Sequence, residues 1–224
     1  MSSRLTAEDR RQQILEVSFG LFARKGYDGA TTREIAEEAG INEALLFRHF
    51  SSKENLYWTM IEEVCQARGR RERIQKVLDE GGTDFAVFQG IARDILARTP
   101  RDRQLTRLLW FTALENHELS ARFFRTFIAD YYEAFASYIR RRIRLGVFRK
   151  ADPLVAARGF LGMVAYHFLI QELFSGEQYQ QFDPDKVADT LAGIWLAGMQ
   201  ASGEKNGLTR ANGHRIRSRT KTRK

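Results

Sequence analysis

Residues 31–50 read Thr31-Thr32-Arg33-Glu34-Ile35-Ala36-Glu37-Glu38-Ala39-Gly40-Ile41-Asn42-Glu43-Ala44-Leu45-Leu46-Phe47-Arg48-His49-Phe50. Thr31 and Glu34 have the spacing of a capping box, which opens a helix. Gly40 ends that helix after about two turns, because glycine takes the left-handed conformation a tight turn needs. Asn42 then caps a second short helix that reaches Phe50. Ala36 is small enough for close helix approach, and Ile35, Ile41, Leu46 and Phe50 supply a shared apolar core. Two helices too short to be stable alone, locked by a third, form a helix-turn-helix. An ordinary helical hairpin inside a bundle would use the same spacing.

The flanking sequence is helical throughout. Thr6 caps a helix from about Ala7 to Lys25 with Ile14, Val17, Leu21 and Phe22 on its apolar stripe, and Gly26 ends it. Ser51 and Glu54 form another capping box that opens a helix running towards Leu78, where Gly81-Gly82 breaks the chain. Phe85, Phe88, Ile91, Ile95 and Leu96 keep a helical period, and Thr99-Pro100 starts another helix. A long helix is expected from Leu119 to Leu145, then two more over about 153–175 and 184–201, each opened by Asp-Pro. Runs of alternating apolar residues are almost absent, so the chain is expected to be all-α, with a small N-terminal and a larger C-terminal helical domain.

The wider run Gly26-Tyr27, Ala30 to Ala36, Ala39-Gly40-Ile41, Leu46 to Phe50 and Lys53-Glu54-Asn55-Leu56 resembles the DNA-binding domain of the TetR family. The resemblance covers roughly residues 8–68 and implies a helix-turn-helix at 31–50 that grips a palindromic operator. It also implies a homodimer whose variable second domain, here about 69–203, holds a small-molecule inducer, with repression as the default outcome. Three departures bear on base readout: Phe47 stands where the family often has a tyrosine whose hydroxyl contacts a phosphate, and Glu43 stands where a basic or neutral residue is usual. Leu45 occupies a place often held by a small polar residue.

Chemistry assigns roles within that frame. Arg48 suits a guanine edge or a phosphate, and Glu43 can accept from a cytosine amine. His49, Lys53 and the helix start at Thr31-Thr32 suit phosphates. Leu45 and Phe47 suit thymine methyls. Arg33, Asn42 and Ala44 complete the candidate DNA-facing set.

In the second domain, nine aromatics lie between Trp110 and Tyr138, more than one helix face needs. Core packing accounts for any one of them. As a set, Trp110, Phe111, Phe127 and Tyr131, with His117, His167 and Glu172 as polar anchors, suit an aromatic-lined cavity, which by the resemblance would hold an apolar or aromatic inducer. Phe160, Val164, Phe168, Leu191, Ile194 and Trp195 make the last two helices more apolar than an edge pair should expose. They are the candidate dimer interface.

The net charge of +8 does not locate a DNA-binding face. Residues 204–224 hold eight Lys or Arg and one Glu, and their composition reads as a disordered basic tail, whereas residues 1–53 hold eight basic and eight acidic residues. The single cysteine, Cys65, excludes a disulfide framework. No Gly-rich phosphate loop, His-Glu-x-x-His or Gly-x-Ser-x-Gly motif is present, so no enzyme, cofactor or metal site is expected. The N-terminus lacks the apolar core of a signal peptide, and the longest apolar stretch, Gly159 to Ile170, is too short to span a bilayer. A soluble cytoplasmic protein without a membrane partner is the expectation.

Overall fold

The structure, a computed structural model, describes residues 5–201 except 81, 98 and 116. Their order is α1 (Ala7–Gly29), α2 (Thr32–Glu38), α3 (Glu43–His49), α4 (Lys53–Ala67), α5 (Arg70–Glu80), α6 (Asp84–Leu96), α7 (Pro100–Glu115), α8 (His117–Phe123), a π-helical turn (Phe124–Ile128), α9 (Ala129–Arg144), α10 (Pro153–Leu173), a 3-10 turn (Gly176–Gln178) and α11 (Pro184–Met199). Among the described residues there is no strand, only an isolated bridge between Phe148 and Gln200.

Three element boundaries differ from the sequence expectations. Thr6 caps α1 through a reciprocal box with Asp9, as its position suggests, but after the break at Gly26 the chain makes one more turn to Gly29. Ser52, one residue later than expected, caps α4 by accepting from the Asn55 amide at 3.0 Å, while Ser51 donates its amide to Asn55 Oδ1. The helix expected to reach Leu78 breaks at Gly69, whose φ of +53° no β-carbon-bearing residue takes cheaply. Arg70 then turns back to pair with Asp94 on α6 at 3.0 Å.

The expected helix from Leu119 to Leu145 is interrupted by the π-helical turn, and the packing explains why. Phe123 and Phe127 pack against an apolar core made by α1–α4, whereas Tyr131, Tyr132, Phe135, Tyr138 and Ile139 pack in a second core. An α-helix turns roughly 100° per residue, so one additional residue in a turn rotates the apolar face from one core towards the other.

That second core is built by α5, α6, α9, α10 and α11 around Phe88. The Phe88 ring stacks on Trp195 at 4.3 Å and meets Phe160 at 4.8 Å and Phe135 at 5.0 Å. The first core is not confined to the first four helices: Leu105 and Leu108 of α7 and Leu119 of α8 are buried in it. α7 therefore follows α1 and α4 mechanically, although it comes after residue 68.

By length and composition alone α10, 21 residues, is long and apolar enough to cross a membrane, more than the Gly159–Ile170 stretch suggested. Its inner face is a core face, with Ala157, Phe160, Leu161, Val164 and Phe168 buried within this chain.

Candidate nucleic-acid interface and effector cavity

The turn between α2 and α3 is closed by two backbone bonds: the Gly40 amide donates to Glu37 O at 3.1 Å and the Ile41 amide to Ala36 O at 2.9 Å. This pairing satisfies the last carbonyls of α2 and requires the left-handed φ of +66° found at Gly40. Asn42 Oδ1 accepts from the Leu45 amide at 2.8 Å and starts α3. At the start of α2, Thr31 and Glu34 form the expected reciprocal box. Lys25 also bonds Glu34 at 2.7 Å, and this bond, then those from Thr31, holds the Glu34 carboxyl down at about 2. Ile35, Ala36, Ala39, Leu46 and Phe50 are buried beneath the pair, against α1 and α4.

The candidate DNA-facing residues divide by exposure. Thr31, Arg33, Asn42, Glu43, Ala44, Phe47 and Arg48 are exposed, while Thr32, Leu45, His49 and Lys53 are half-buried. Leu45 is thus less open than expected. Thr32 Oγ1 donates to Glu43 Oε1 at 2.5 Å, joining the starts of α2 and α3. Phe47 is 44% exposed beside Arg48, for which burial gives no reason. Arg33 lies along its own helix against Glu37 at 2.9 Å. Lys53 Nζ rests over the Tyr27 ring at 4.5 Å, and partial burial lowers its pKa. Sequence reasoning missed that Tyr27 seat, and also Arg11, which lies over Phe50 at 5.3 Å and pairs with Glu63.

α7 links this unit to the rest of the chain. Tyr57 of α4 and Thr112 of α7 share a buried hydroxyl–hydroxyl bond of 2.9 Å, and burial pushes the Tyr57 hydroxyl up to about 12. Arg68 at the end of α4 pairs with Asp102 at 2.9 Å, with both side chains mostly buried. Arg101 pairs with Glu16 of α1 at 2.8 Å. Two residues along, about 200° round the helix, Arg103 points the other way, to Glu172 of α10 and Glu177 of the following turn, each at 3.3 Å.

Arg103 lines a cavity of about 520 Å³ with Leu96, His167, Phe168, Gln171, Glu172, Gln178, Gln181 and Phe182. The His167 ring meets Phe182 edge-on at 5.3 Å, and burial lowers its pKa. Another cavity, about 550 Å³, lies between α1, α4 and the start of α7, lined by Leu15, Met60, Val64, Arg68, Arg101 and Asp102.

The six candidate ligand residues do not share one space. Of these only His167 lines a described cavity, where the anchor Glu172 joins it. Trp110 and Phe111 are 43% and 41% exposed on the outer side of α7. Phe127 packs on the first core and Tyr131 on the second, and the His117 side chain lies outside the described residues. Aromatic density along the sequence reflected two cores and a surface. The cavity residues missed, Gln171, Gln178 and Gln181, are polar, and an apolar search passes over them.

The candidate dimer residues also need correction. Phe160 and Val164 are fully buried inside one chain, Trp195 is stacked on Phe88, and Phe168 is buried; each occupies the inward face of its helix. Leu191 is half-buried. Ile194, 59% exposed, is the outward member. The outer faces of α10 and α11 instead present Val155, Gly159, Gly162, Tyr166, Ile194 and Gly198.

Residues 14–58 match the family model described as bacterial regulatory proteins, tetR family, and residues 88–198 match an AefR-like transcriptional repressor C-terminal domain. The chain is 32% identical over 171 residues to the HTH-type transcriptional repressor AcnR of Corynebacterium diphtheriae, covering 75% of this chain and 82% of that one. It is 29% identical over 185 residues to the nucleoid occlusion factor SlmA of Vibrio atlanticus, covering 78% and 91%. In three dimensions it superposes on AibR, solved with isovaleryl coenzyme A and operator DNA, with a TM-score of 0.63 at 22% identity, covering 83% and 97%.

Proposed function

This chain belongs to the TetR family of bacterial regulatory proteins, and we propose from that premise how its own residues carry out regulation. It is a DNA-binding transcriptional regulator of the repressor type. α3 enters the major groove, Arg48 reaches a guanine edge or a phosphate, and Phe47 meets a thymine methyl. Thr31, Thr32, His49 and Lys53 take phosphates. The observation that carries this reading is the 44% exposure of Phe47 beside Arg48 on a helix seated on the core through Leu46. In the free protein Glu43 is occupied by Thr32, so its carboxylate is held in place before DNA arrives.

The protein acts as a homodimer, supported by the apolar and glycine-bearing outer faces of α10 and α11. Two copies of that pair close a four-helix bundle about a twofold axis. Half-sites then lie about one DNA turn apart or a multiple of it.

The effector enters the cavity at Arg103 and His167. Its lining of Arg, Glu and Gln with two phenylalanines calls for a hydrogen-bonding molecule with one flat apolar face, more polar than aromatic density suggested. Such a ligand competes with the Arg103 pairs to Glu172 and Glu177 and so displaces α7, to which α1 and α4 are fixed. It shifts the equilibrium only by its differential affinity for the two arrangements. Selecting bound sequences from a random DNA pool tests the first part: a palindromic consensus is expected, and no enrichment would overturn it. Titrating a hit from a polar metabolite library into free and operator-bound protein tests the second. Affinity must fall by the factor by which the ligand weakens DNA binding, and equal affinities would refute the coupling.

A further inference from the structure

The cavity of about 550 Å³ plays no part in the function proposed above. It lies where the two cores meet. Leu15 of α1 and Met60 and Val64 of α4, all buried in the first core, form its apolar wall. Arg73 of α5 and Ala97, just after α6, close the opposite side, and both helices belong to the second core. Thr99, Arg101 and Asp102 at the start of α7 complete the lining. α4 and α5 join at Gly69 beside it, and Arg73 Nη1 donates across that joint to Arg68 O. A space of this volume accepts a molecule of drug size.

The carboxylates around this space are engaged. Glu16 is held by Arg101 through both oxygens, at 2.9 and 2.8 Å, and Glu63 by Arg11 at 2.7 Å. Arg70 and Arg73 share Asp94, at 3.0 and 2.5 Å. The pair from Arg68 to Asp102 runs through Nε at 2.9 Å, and the outer edge of that guanidinium, Nη1 and Nη2, makes no hydrogen bond to a described residue. Three guanidinium groups, Arg68, Arg70 and Arg73, thus face two carboxylates. The Arg68 side chain is mostly buried, and burial, then the neighbouring Arg70, lowers its pKa. This excess of one positive charge belongs to the described residues alone; the basic tail expected over 204–224 lies outside them.

We propose that this cavity is a second small-molecule site, for a monocarboxylate on an apolar body. The carboxylate takes the outer edge of Arg68, a planar fork that receives two oxygens at once. The body lies against Leu15, Met60 and Val64. A neutral molecule would cover Arg68 without supplying an acceptor, which costs more than it gains. A phosphate monoester would bring up to two negative charges to one uncompensated cation. The occupant touches α1, α4 and the first turn of α7 together, so it adds to the links from Arg68 to Asp102 and from Arg101 to Glu16. Resting on the reading that displacement of α7 releases the operator, a molecule that holds α7 on α1 and α4 tightens operator binding. The two cavities then act in opposite senses on three consecutive residues: Arg101 and Asp102 hold α7 to the reading unit, and Arg103 holds it to α10.

The test titrates the full chain, by calorimetry, with decanoate and 2-naphthoate and with the primary amide of each. At least one acid is expected to bind, and its amide about tenfold more weakly or worse, because the charge-assisted pair is lost. Ala67→Phe puts a ring into the lining at an exposed position, where the fold tolerates it, and is expected to weaken acid binding about tenfold or more. Arg68→Lys keeps the charge without the fork and is expected to lose most of the affinity, even if Arg68→Gln fails to fold. Operator affinity, read by fluorescence anisotropy, is expected to rise with the acid by the factor by which operator raises acid affinity. Three results would overturn the site: no binding of either acid up to about 1 mM, amides that bind as well as the acids, or binding unchanged in Ala67→Phe, which places the acid elsewhere. Acid binding at this site with operator affinity unchanged or weakened would refute the opposing role. The calorimetry needs no DNA, so failure to select an operator would overturn the function proposed above while these titrations still decide the site.

Discussion

Ile194 and Trp195 are neighbours in sequence, yet their substitution should fail in opposite ways. Trp195 is 9% exposed, stacked on Phe88 at 4.3 Å, and donates its indole N–H to Ala156 O at 3.2 Å. Trp195→Ala removes that packing inside one protomer at about 3–5 kcal/mol. At about 2–4 °C per kcal/mol for a chain of this size, Tm should fall by roughly 6–20 °C. Ile194 is 59% exposed on the outer face of α11, so Ile194→Asp costs one protomer within about 0.5 kcal/mol. Covering that side chain in a dimer is worth about 1–2 kcal/mol per copy. With both copies altered, the dimer should weaken roughly 30- to 700-fold at about 1.4 kcal/mol per decade, before any repulsion between the two carboxylates. Sedimentation across a concentration series, paired with thermal unfolding, separates the cases. Ile194→Asp should sediment as a folded monomer whose Tm no longer rises with protein concentration. If it sediments as the wild-type dimer, or if Trp195→Ala gives a monomer of unchanged Tm, the assignment of inward and outward faces is wrong.

Arg48→Ala should leave the melting curve unchanged and cost about 1–3 kcal/mol of operator affinity if the side chain reads a base, measured by fluorescence anisotropy. Gly40→Ala meets nothing within 4 Å of the new β-carbon, so its whole cost is the left-handed backbone, about 1–2 kcal/mol; an unchanged denaturation midpoint would remove Gly40 from the turn's energetics. His167 has its pKa lowered by burial from its ordinary 6.5, beside Arg103, Glu172 and Glu177. The unfolded chain therefore takes up the proton first, and stability present above the unfolded pKa is lost as pH falls through it. Urea unfolding at pH 7.5 and 5.5 should show that loss, and His167→Gln should reduce it.

The helix-turn-helix was legible in the sequence because each of its parts has a local cause. A cap, a glycine and a second cap act within three or four residues, and the structure places Thr31, Glu34, Gly40 and Asn42 in those roles. The face that a distant helix presents has no such local cause. Trp195 and Ile194 have the same apolar character in sequence, and only the position of Phe88 on α6 decides which of them turns inward. The π-helical turn at Phe124–Ile128 was hidden for a related reason: nothing in those five residues shows that the helices on either side serve different cores. Most of the cavity beyond His167 and Glu172 escaped because its lining is drawn from α6, α7, α10 and the segment before α11, and its glutamines read singly as surface.

The burial of Leu105, Leu108 and Leu119 against α1–α4 has a consequence for how such a regulator could be taken apart or recombined. A cut after residue 68 follows the order of the chain, yet it would strip the reading head of part of its floor. A transplanted head of that length would carry a raw apolar patch into its new host, with Tyr57 left facing no hydroxyl. Exchange between relatives should therefore tolerate a seam only when the α7–α8 hairpin travels with the head, as a discontinuous inheritance of two stretches of chain.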